Sequence, residues 1–215
     1  MNRYKLIIFD LDGTLADTSP GILNSVRYVQ QKMNLPEISL QAMYTHVGPP
    51  MEESYNRNFN LEGDKLKEAV RFHKEYAVEQ GYKELELYPD IVDTLDILKS
   101  QGYLLAIATL KSEITAKKIF DELDLTRKFD IIVGTNQKDL VTKEQVLIKC
   151  IEELGAEKEQ AILVGDSAYD AIGAEKVQID FLAVTYGFGF KKEEDVSLYK
   201  NVGALNKISD IWTIL

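Results

Sequence analysis

Cysteine is almost missing from this chain. Cys150 is the only one in 215 residues, which excludes an intramolecular disulfide and a Cys-x-x-Cys metal site. Positive charge is scarce too: 25 lysines and arginines face 35 acidic residues, for a formal net charge of −10. No basic run offsets the deficit locally, so no nucleic-acid surface is expected. An anionic ligand would need a local cation or a metal. No apolar stretch approaches the ~20 residues of a membrane span, so no membrane partner is expected. The N-terminal apolar run is interrupted early by Asp10, unlike a signal peptide. The expected setting is a reducing cytoplasm. Internal repeats and low-complexity linkers are also missing.

Hydrophobic residues make up 45% of the chain, enough for a sizeable core and against disorder. The most informative stretch is Lys5-Leu6-Ile7-Ile8-Phe9-Asp10-Leu11-Asp12-Gly13-Thr14. An apolar run rich in Ile and Phe reads as a strand buried on both faces. Strand residues i and i+2 share a face, so Asp10 and Asp12 are expected to leave its end side by side. Gly13 then permits a sharp turn.

Further along, Ser19 and Pro20 read as N-cap and first residue of a helix carrying Ile22, Val26, Val29 and Met33, closed by Pro36. Residues 40–82 are polar with helical periodicity, including Met51 to Phe59 and Leu66 to Val78. From Asp90 the pattern alternates: helix 90–101, strand 103–109, helix 112–123 with Ile114, Ile119 and Phe120 inward, and strand 129–133. Thr142-Lys143-Glu144-Gln145 fits a capping box opening a helix with Cys150 on its core face. Strands 161–164 and 181–184 follow, then a last helix over 208–215. The expected class is α/β, a Rossmann-like three-layer parallel-sheet core (residues 1–15 and 88–215) with an inserted all-helical cap domain (16–87).

In a parallel sheet the carboxyl ends of all strands share one edge, where such folds bind ligands. That edge would gather Asp10 and Asp12, Thr109, and Gly165-Asp166 with Asp170. Carboxylates ~5 Å apart at an effective dielectric of ~20 repel by roughly 3 kcal/mol per pair. A divalent cation would relieve this, and an all-oxygen donor set favours Mg²⁺ over zinc. Lys143 could add a second positive group. Each of these features alone has a plain reading as turn, cap or surface residue; their common placement is what singles them out. His46 and His73 read as structural, Gly187-Phe188-Gly189 as a plain loop, and Glu193-Glu194-Asp195 as a solvated helix start.

Together these motifs resemble the haloacid dehalogenase superfamily, in its phosphatase branch with a helical cap, along essentially the whole chain. Asp10-Leu11-Asp12-Gly13-Thr14 matches the DxDGT motif, Thr109 the second-motif Ser/Thr, Lys143 the third-motif lysine, and Gly165 to Asp170 the GDxxxD motif. Val47 to Ser54 is similar to the corresponding stretch of phosphoglycolate phosphatases and related pyrophosphate and nucleotide phosphatases. Leu110 stands where Asn or Ser often does, and Glu144 where proline usually follows the lysine; Lys138 is the alternative third-motif lysine.

The resemblance implies an Mg²⁺-dependent phosphomonoesterase acting on a small phosphorylated metabolite. Asp10 would be the nucleophile and Asp12 the general acid and base. The metal would be held by Asp10, Asp166, the main-chain carbonyl of Asp12, and Asp170 directly or through another ligand. Thr109, the Leu110 main chain and Lys143 would hold phosphate oxygens, and Gly48, Pro49 and Pro50 would reach the substrate from the cap. A phosphosugar mutase and a catalytically silent binding domain are the alternatives. The expected assembly is a monomer or homodimer; Tyr55, Phe59 and Phe72 would serve packing in the insert or a contact outside it.

Overall fold

In the computed structural model, which describes residues 3–136 and 142–215, the Leu6-Ile7-Ile8-Phe9 run forms strand β1 (Leu6–Phe9), with all four residues fully buried. Such burial on both faces requires a neighbour strand on each side and helices above and below. The chain then passes through the short strand β2 (Ala16–Asp17) into a separate compact unit, Thr18–Glu86.

That unit is helical: α1 (Ser19–Met33), α2 (Leu40–Tyr44), α3 (Met51–Phe59) and α4 (Gly63–Glu79). Its core is Val29, Tyr55, Leu61, Ala69 and Val70, with Met33, Phe59, Leu66 and Phe72 packed against it. Tyr55 is fully buried, and its hydroxyl pairs with His73 Nδ1 at 2.9 Å. The other imidazole, of His46, meets Asn58 Nδ2 at 3.1 Å. Both histidines are thus buried members of this helical core.

The other unit, Met1–Asp17 and Leu87–Leu215, resumes at Leu87, the second residue of the short strand β3 (Glu86–Leu87). It continues with α5 (Ile91–Ser100), β4 (Leu104–Ser112), α6 (Glu113–Glu122) and β5 (Ile131–Thr135). After these come α7 (Lys143–Glu153), β6 (Ala161–Gly165), α8 (Ala168–Val177), β7 (Asp180–Val184), α9 (Glu193–Val196) and β8 (Gly203–Leu205). The six long-range strands form one parallel sheet in the order β5-β4-β1-β6-β7-β8. On one face Leu6, Ile8, Ala106 and Leu163 pack with Val146, Leu147 and Cys150 of α7 and Ala171 and Ala174 of α8. Burial pushes the Cys150 thiol up to about 12, so it is a core group. Among the described residues no helix is long and apolar enough to cross a membrane.

Several details depart from the sequence expectation. Thr18, not Ser19, holds the cap position of α1, and Pro20 lies in its first turn. That helix stops before Pro36, because Asn34 turns left-handed (φ 50°); Gln30 Nε2 then donates to the Pro36 carbonyl at 2.7 Å. Ile114 is 67% exposed, whereas Ile119 and Phe120 are buried; helix residues share a face three or four apart, and Ile114 precedes Ile119 by five. The final segment is helical as expected, but as a 3₁₀ helix that ends at Thr213 (Ile208–Thr213). The short strands β2 and β3, which stand at the two ends of the span read as all-helical, and β8 were not foreseen. Ser39 caps α2, accepting from the Ala42 N–H at 3.2 Å.

Candidate active site

Register places the chemistry. Phe9 of β1 is level with Ile107 of β4 and with Val164 of β6. The next residues of all three strands therefore emerge together at the carboxyl edge: Asp10, then Ala108 and Thr109, then Gly165 and Asp166. The Asp10 N–H donates to the Val164 carbonyl at 2.9 Å, so the ladder holds up to the first aspartate. Beyond it the chain turns: Leu15 and Ala16 both donate to the Leu11 carbonyl, and Gly13 adopts φ 86°.

The turn separates the two aspartates that alternation had placed side by side. Asp10 points into a buried cluster with Asp166 and Asp170, whose carboxylate oxygens lie within 4.8 Å of one another. The Asp12 side chain is not part of that cluster. It pairs instead with Lys111, Nζ to Oδ1 at 3.0 Å, each side chain 14% exposed.

Lys143 stands at the first turn of α7, where Gln145 Oε1 accepts from the Thr142 N–H at 3.0 Å. Its ammonium meets Asp10 Oδ1 at 2.7 Å, Asp170 Oδ1 at 2.7 Å and the Ala108 carbonyl at 2.6 Å. Three donors thus meet three acceptors. The other Asp170 oxygen accepts from the Ser167 hydroxyl at 2.6 Å and from the Ser167 N–H at 3.1 Å.

Asp166 is held by the segment read from sequence as a plain loop. The N–H groups of Phe188 and Gly189 donate to Asp166 Oδ2 at 2.6 and 2.9 Å, and the Phe190 N–H donates to the Asp166 carbonyl at 2.7 Å. A Cβ at Gly187 would collide with this carboxylate and with the Gly13 carbonyl, so the loop approaches that closely only as glycine. The segment is a loop as read, and its role as a support for Asp166 has no mark in Gly187-Phe188-Gly189 until Asp166 is known to stand opposite.

Three carboxylates and one lysine leave two net negative charges in a buried space, and the donors are all oxygen. That set fits a hard divalent cation. Without one, burial pushes Asp10 upward, with Lys143 opposing and Asp170 adding to the rise. Burial, then the charge of Asp170, pushes Asp166 up to about 7. For Lys143 burial alone would favour the neutral amine; Asp10 and Asp170 outweigh it and hold the ammonium protonated.

Thr109 is fully buried, and its hydroxyl oxygen accepts from the Lys111 N–H at 3.1 Å. The Leu110 carbonyl accepts from the Thr135 hydroxyl at 3.0 Å. Gly48, Pro49 and Pro50 lie in the helical unit, on the turn leading into α3, with Pro50 at its cap position. Lys138 falls outside the described residues. Lys111 and Tyr186, which donates to the Thr14 carbonyl at 2.8 Å, were not foreseen. In sequence Lys111 is only one more lysine, two places past Thr109.

Residues 7–184 match the haloacid dehalogenase-like hydrolase family. The chain is 29% identical over 192 residues to a 5'-nucleotidase of Pseudomonas aeruginosa, covering 89% of this chain and 87% of that protein. It is 32% identical over 190 residues to a phosphoglycolate phosphatase of Agrobacterium fabrum, covering 85% and 81% respectively. Among solved structures, the haloacid dehalogenase-like hydrolase SP0104 of Streptococcus pneumoniae superposes with a TM-score of 0.90 at 32% identity, over 99% of both chains.

Proposed function

Since the chain belongs to the haloacid dehalogenase-like hydrolases and is similar to a phosphoglycolate phosphatase and a 5'-nucleotidase, we propose that it is a phosphomonoesterase that cleaves a small phosphorylated metabolite through a phosphoryl group carried on Asp10. The observation that carries this reading is the unequal setting of the two leading aspartates. Asp10 lies in the buried carboxylate cluster beside Lys143, and Asp12 lies outside it beside Lys111.

Asp10, Asp166 and Asp170 would hold Mg²⁺, with the Asp12 main-chain carbonyl as a further ligand. Bound there, the ion would neutralise charge on the phosphoryl oxygens and on the surrounding carboxylates. The residues do the rest. Lys143 opposes the rise that burial imposes on Asp10 and aims its carboxylate, so the oxygen turned away from Lys143 can attack phosphorus; the bond to the leaving oxygen breaks as the new one forms. Asp12 gives that oxygen a proton, then takes one from the water that hydrolyses the aspartyl phosphate. Thr109 and the Leu110 main chain would steady the phosphoryl oxygens. Lys143, whose three donors are taken by Asp10, Asp170 and the Ala108 carbonyl, would add its positive charge beside them; positioning and charge supply most of the rate. Gly48, Pro49 and Pro50 are assigned to substrate contact from the helical unit.

Phosphate release should be measured against phosphoglycolate, nucleoside monophosphates, pyrophosphate and hexose phosphates, with Mg²⁺ and with EDTA, for the wild type and Asp10→Asn. Release that depends on Mg²⁺ and disappears in Asp10→Asn is expected. Full activity in Asp10→Asn, or no release from any ester, would sink the proposal.

A further inference from the structure

Each of the two leading aspartates has its own lysine, and the lysines are committed differently. Lys143 is 4% exposed and gives its three donors to Asp10, Asp170 and Ala108. Lys111 sits at the less enclosed end, its side chain 14% exposed, against Asp12.

Lys111 is also placed by an irregularity in the sheet. Pairing of β4 with β5 steps from Ala108 opposite Val133 to Ser112 opposite Thr135, so four steps along one strand match two along the other. Residues Thr109, Leu110 and Lys111 bulge out of the ladder. The bulge is stabilised at several points. The Lys111 N–H goes to the Thr109 hydroxyl oxygen, and the Leu110 carbonyl takes the Thr135 hydroxyl. Gly134 makes room, since a Cβ there would lie 2.7 Å from the Lys111 carbonyl oxygen. Ser112 at once caps α6, accepting from the Thr115 N–H at 3.2 Å. Bulges beside active sites re-aim side chains, and this one fixes the Lys111 backbone while aiming its long side chain at Asp12.

We infer that Lys111 reads the leaving group, favouring esters whose leaving group carries its own negative charge close to the scissile oxygen. The inference rests on the phosphomonoesterase reading, in which Asp12 touches the leaving oxygen. A group 3.0 Å from Asp12 is then beside the first atoms of the leaving group. Asp12 alone offers no positive charge to an anion there. The Asp12–Lys111 pair offers a cationic side, and an ammonium with three donors serves Asp12 and an oxyanion together. A carboxylate and a second phosphate share this chemistry.

The test uses ligands that differ only at that point. Phosphoglycolate and 2-hydroxyethyl phosphate have the same phosphoryl end, one with a carboxylate and one with a neutral hydroxymethyl; pyrophosphate presents a second phosphate. In Lys111→Met the ratio of kcat/KM for phosphoglycolate over 2-hydroxyethyl phosphate should fall by about tenfold or more, the scale of a lost charge-assisted hydrogen bond; Lys111→Arg should retain most of it. A parallel fall for pyrophosphate makes the recognised group any oxyanion, and a fall for phosphoglycolate alone makes it a carboxylate. Any loss common to all esters reports the effect on Asp12 and cancels in the ratio. The same ratio should be read as dissociation constants in an Asp10→Asn background, by calorimetry with Mg²⁺ present. An unchanged ratio in both measurements overturns the role of Lys111 while leaving the phosphatase reading intact. Absence of turnover with a changed binding ratio does the reverse. Binding of none of these ligands overturns both.

Discussion

Lys143 and Asp10 are 133 positions apart in sequence and 2.7 Å apart in space. The contact ties the start of α7 to the end of β1, and Lys143 shares the same ammonium with Asp170 on α8. It is nearly sealed from water, so its loss would leave two carboxylates buried without a counter-charge.

Removing the lysine should therefore cost more than removing the aspartate. Lys143→Met is expected to lower stability in EDTA by about 3–5 kcal/mol, the usual result of breaking one side of a buried pair. Asp10→Asn removes one of several crowded carboxylates and should be close to neutral or stabilising. The cost of Lys143→Met should shrink in acid, where a proton on the cluster replaces the ammonium. Urea unfolding of both variants at two pH values checks this; equal losses would contradict it.

The second prediction concerns pH. Burial and Asp170 push Asp166 up to about 7, against 3.8 for a free aspartate. Between those values the folded protein holds a proton that the unfolded chain does not, so this group makes stability fall as pH rises. His46 works the other way: burial lowers it from 6.5 to about 4, and its contribution is lost as pH falls below 6.5. The two oppose each other in mild acid, so Asp166→Asn is the comparison that isolates the carboxylate. In EDTA the Tm of Asp166→Asn should rise relative to wild type between about pH 5 and about pH 8. Added Mg²⁺ should close the gap by stabilising the wild type, more strongly at the higher pH because binding displaces protons. A pH-independent difference would refute the assignment.

Gly187 supplies a third. An added methyl would strike the Asp166 carboxylate and the Gly13 carbonyl, while Phe188 contributes only its main-chain N–H to Asp166. Gly187→Ala should weaken Mg²⁺ binding by about 10- to 100-fold, as loss of a ligand's supporting contacts does. Phe188→Leu keeps the N–H and should bind the ion nearly as the wild type does. Titration of activity against Mg²⁺ concentration, with Tm measured alongside, separates this from general unfolding.

What the sequence reveals follows from how local each signal is. The strand carrying Leu6 to Phe9 reads clearly because burial on both faces demands an unbroken apolar run. Asp10, Asp166 and Asp170 read clearly because parallel strands share one carboxyl edge. Lys111 does not, since a bulge defined by the pairing of β4 with β5 is what aims it. The Phe188 and Gly189 amides do not either; they acquire meaning only when β7 and β6 lie side by side and bring Asp166 within 2.6 Å. The separation of Asp10 from Asp12 was also hidden, because alternation holds only while the strand continues, and β1 ends at Phe9.

That separation yields the last prediction. If Asp10 carries the phosphoryl group and Asp12 only moves protons, their amide variants should fail at different steps. A p-nitrophenyl ester has a leaving group that departs without a proton, so Asp12→Asn should still phosphorylate Asp10. It should then stall, because the water that completes the cycle has lost its base. The expected trace is a burst of p-nitrophenolate of about one equivalent, followed by turnover slower by about 10²–10⁴, the usual worth of general acid–base help. Asp10→Asn should show no burst at all. With poor leaving groups both variants should be inactive, since the first step then needs the Asp12 proton as well. Rapid mixing with Mg²⁺ present reads the burst, and acid quenching traps any phosphoryl-protein. Absence of a burst in both variants would mean that Asp12 is needed to form the intermediate even from the activated ester, and that the Lys111 and Lys143 settings do not divide the work between the two carboxylates.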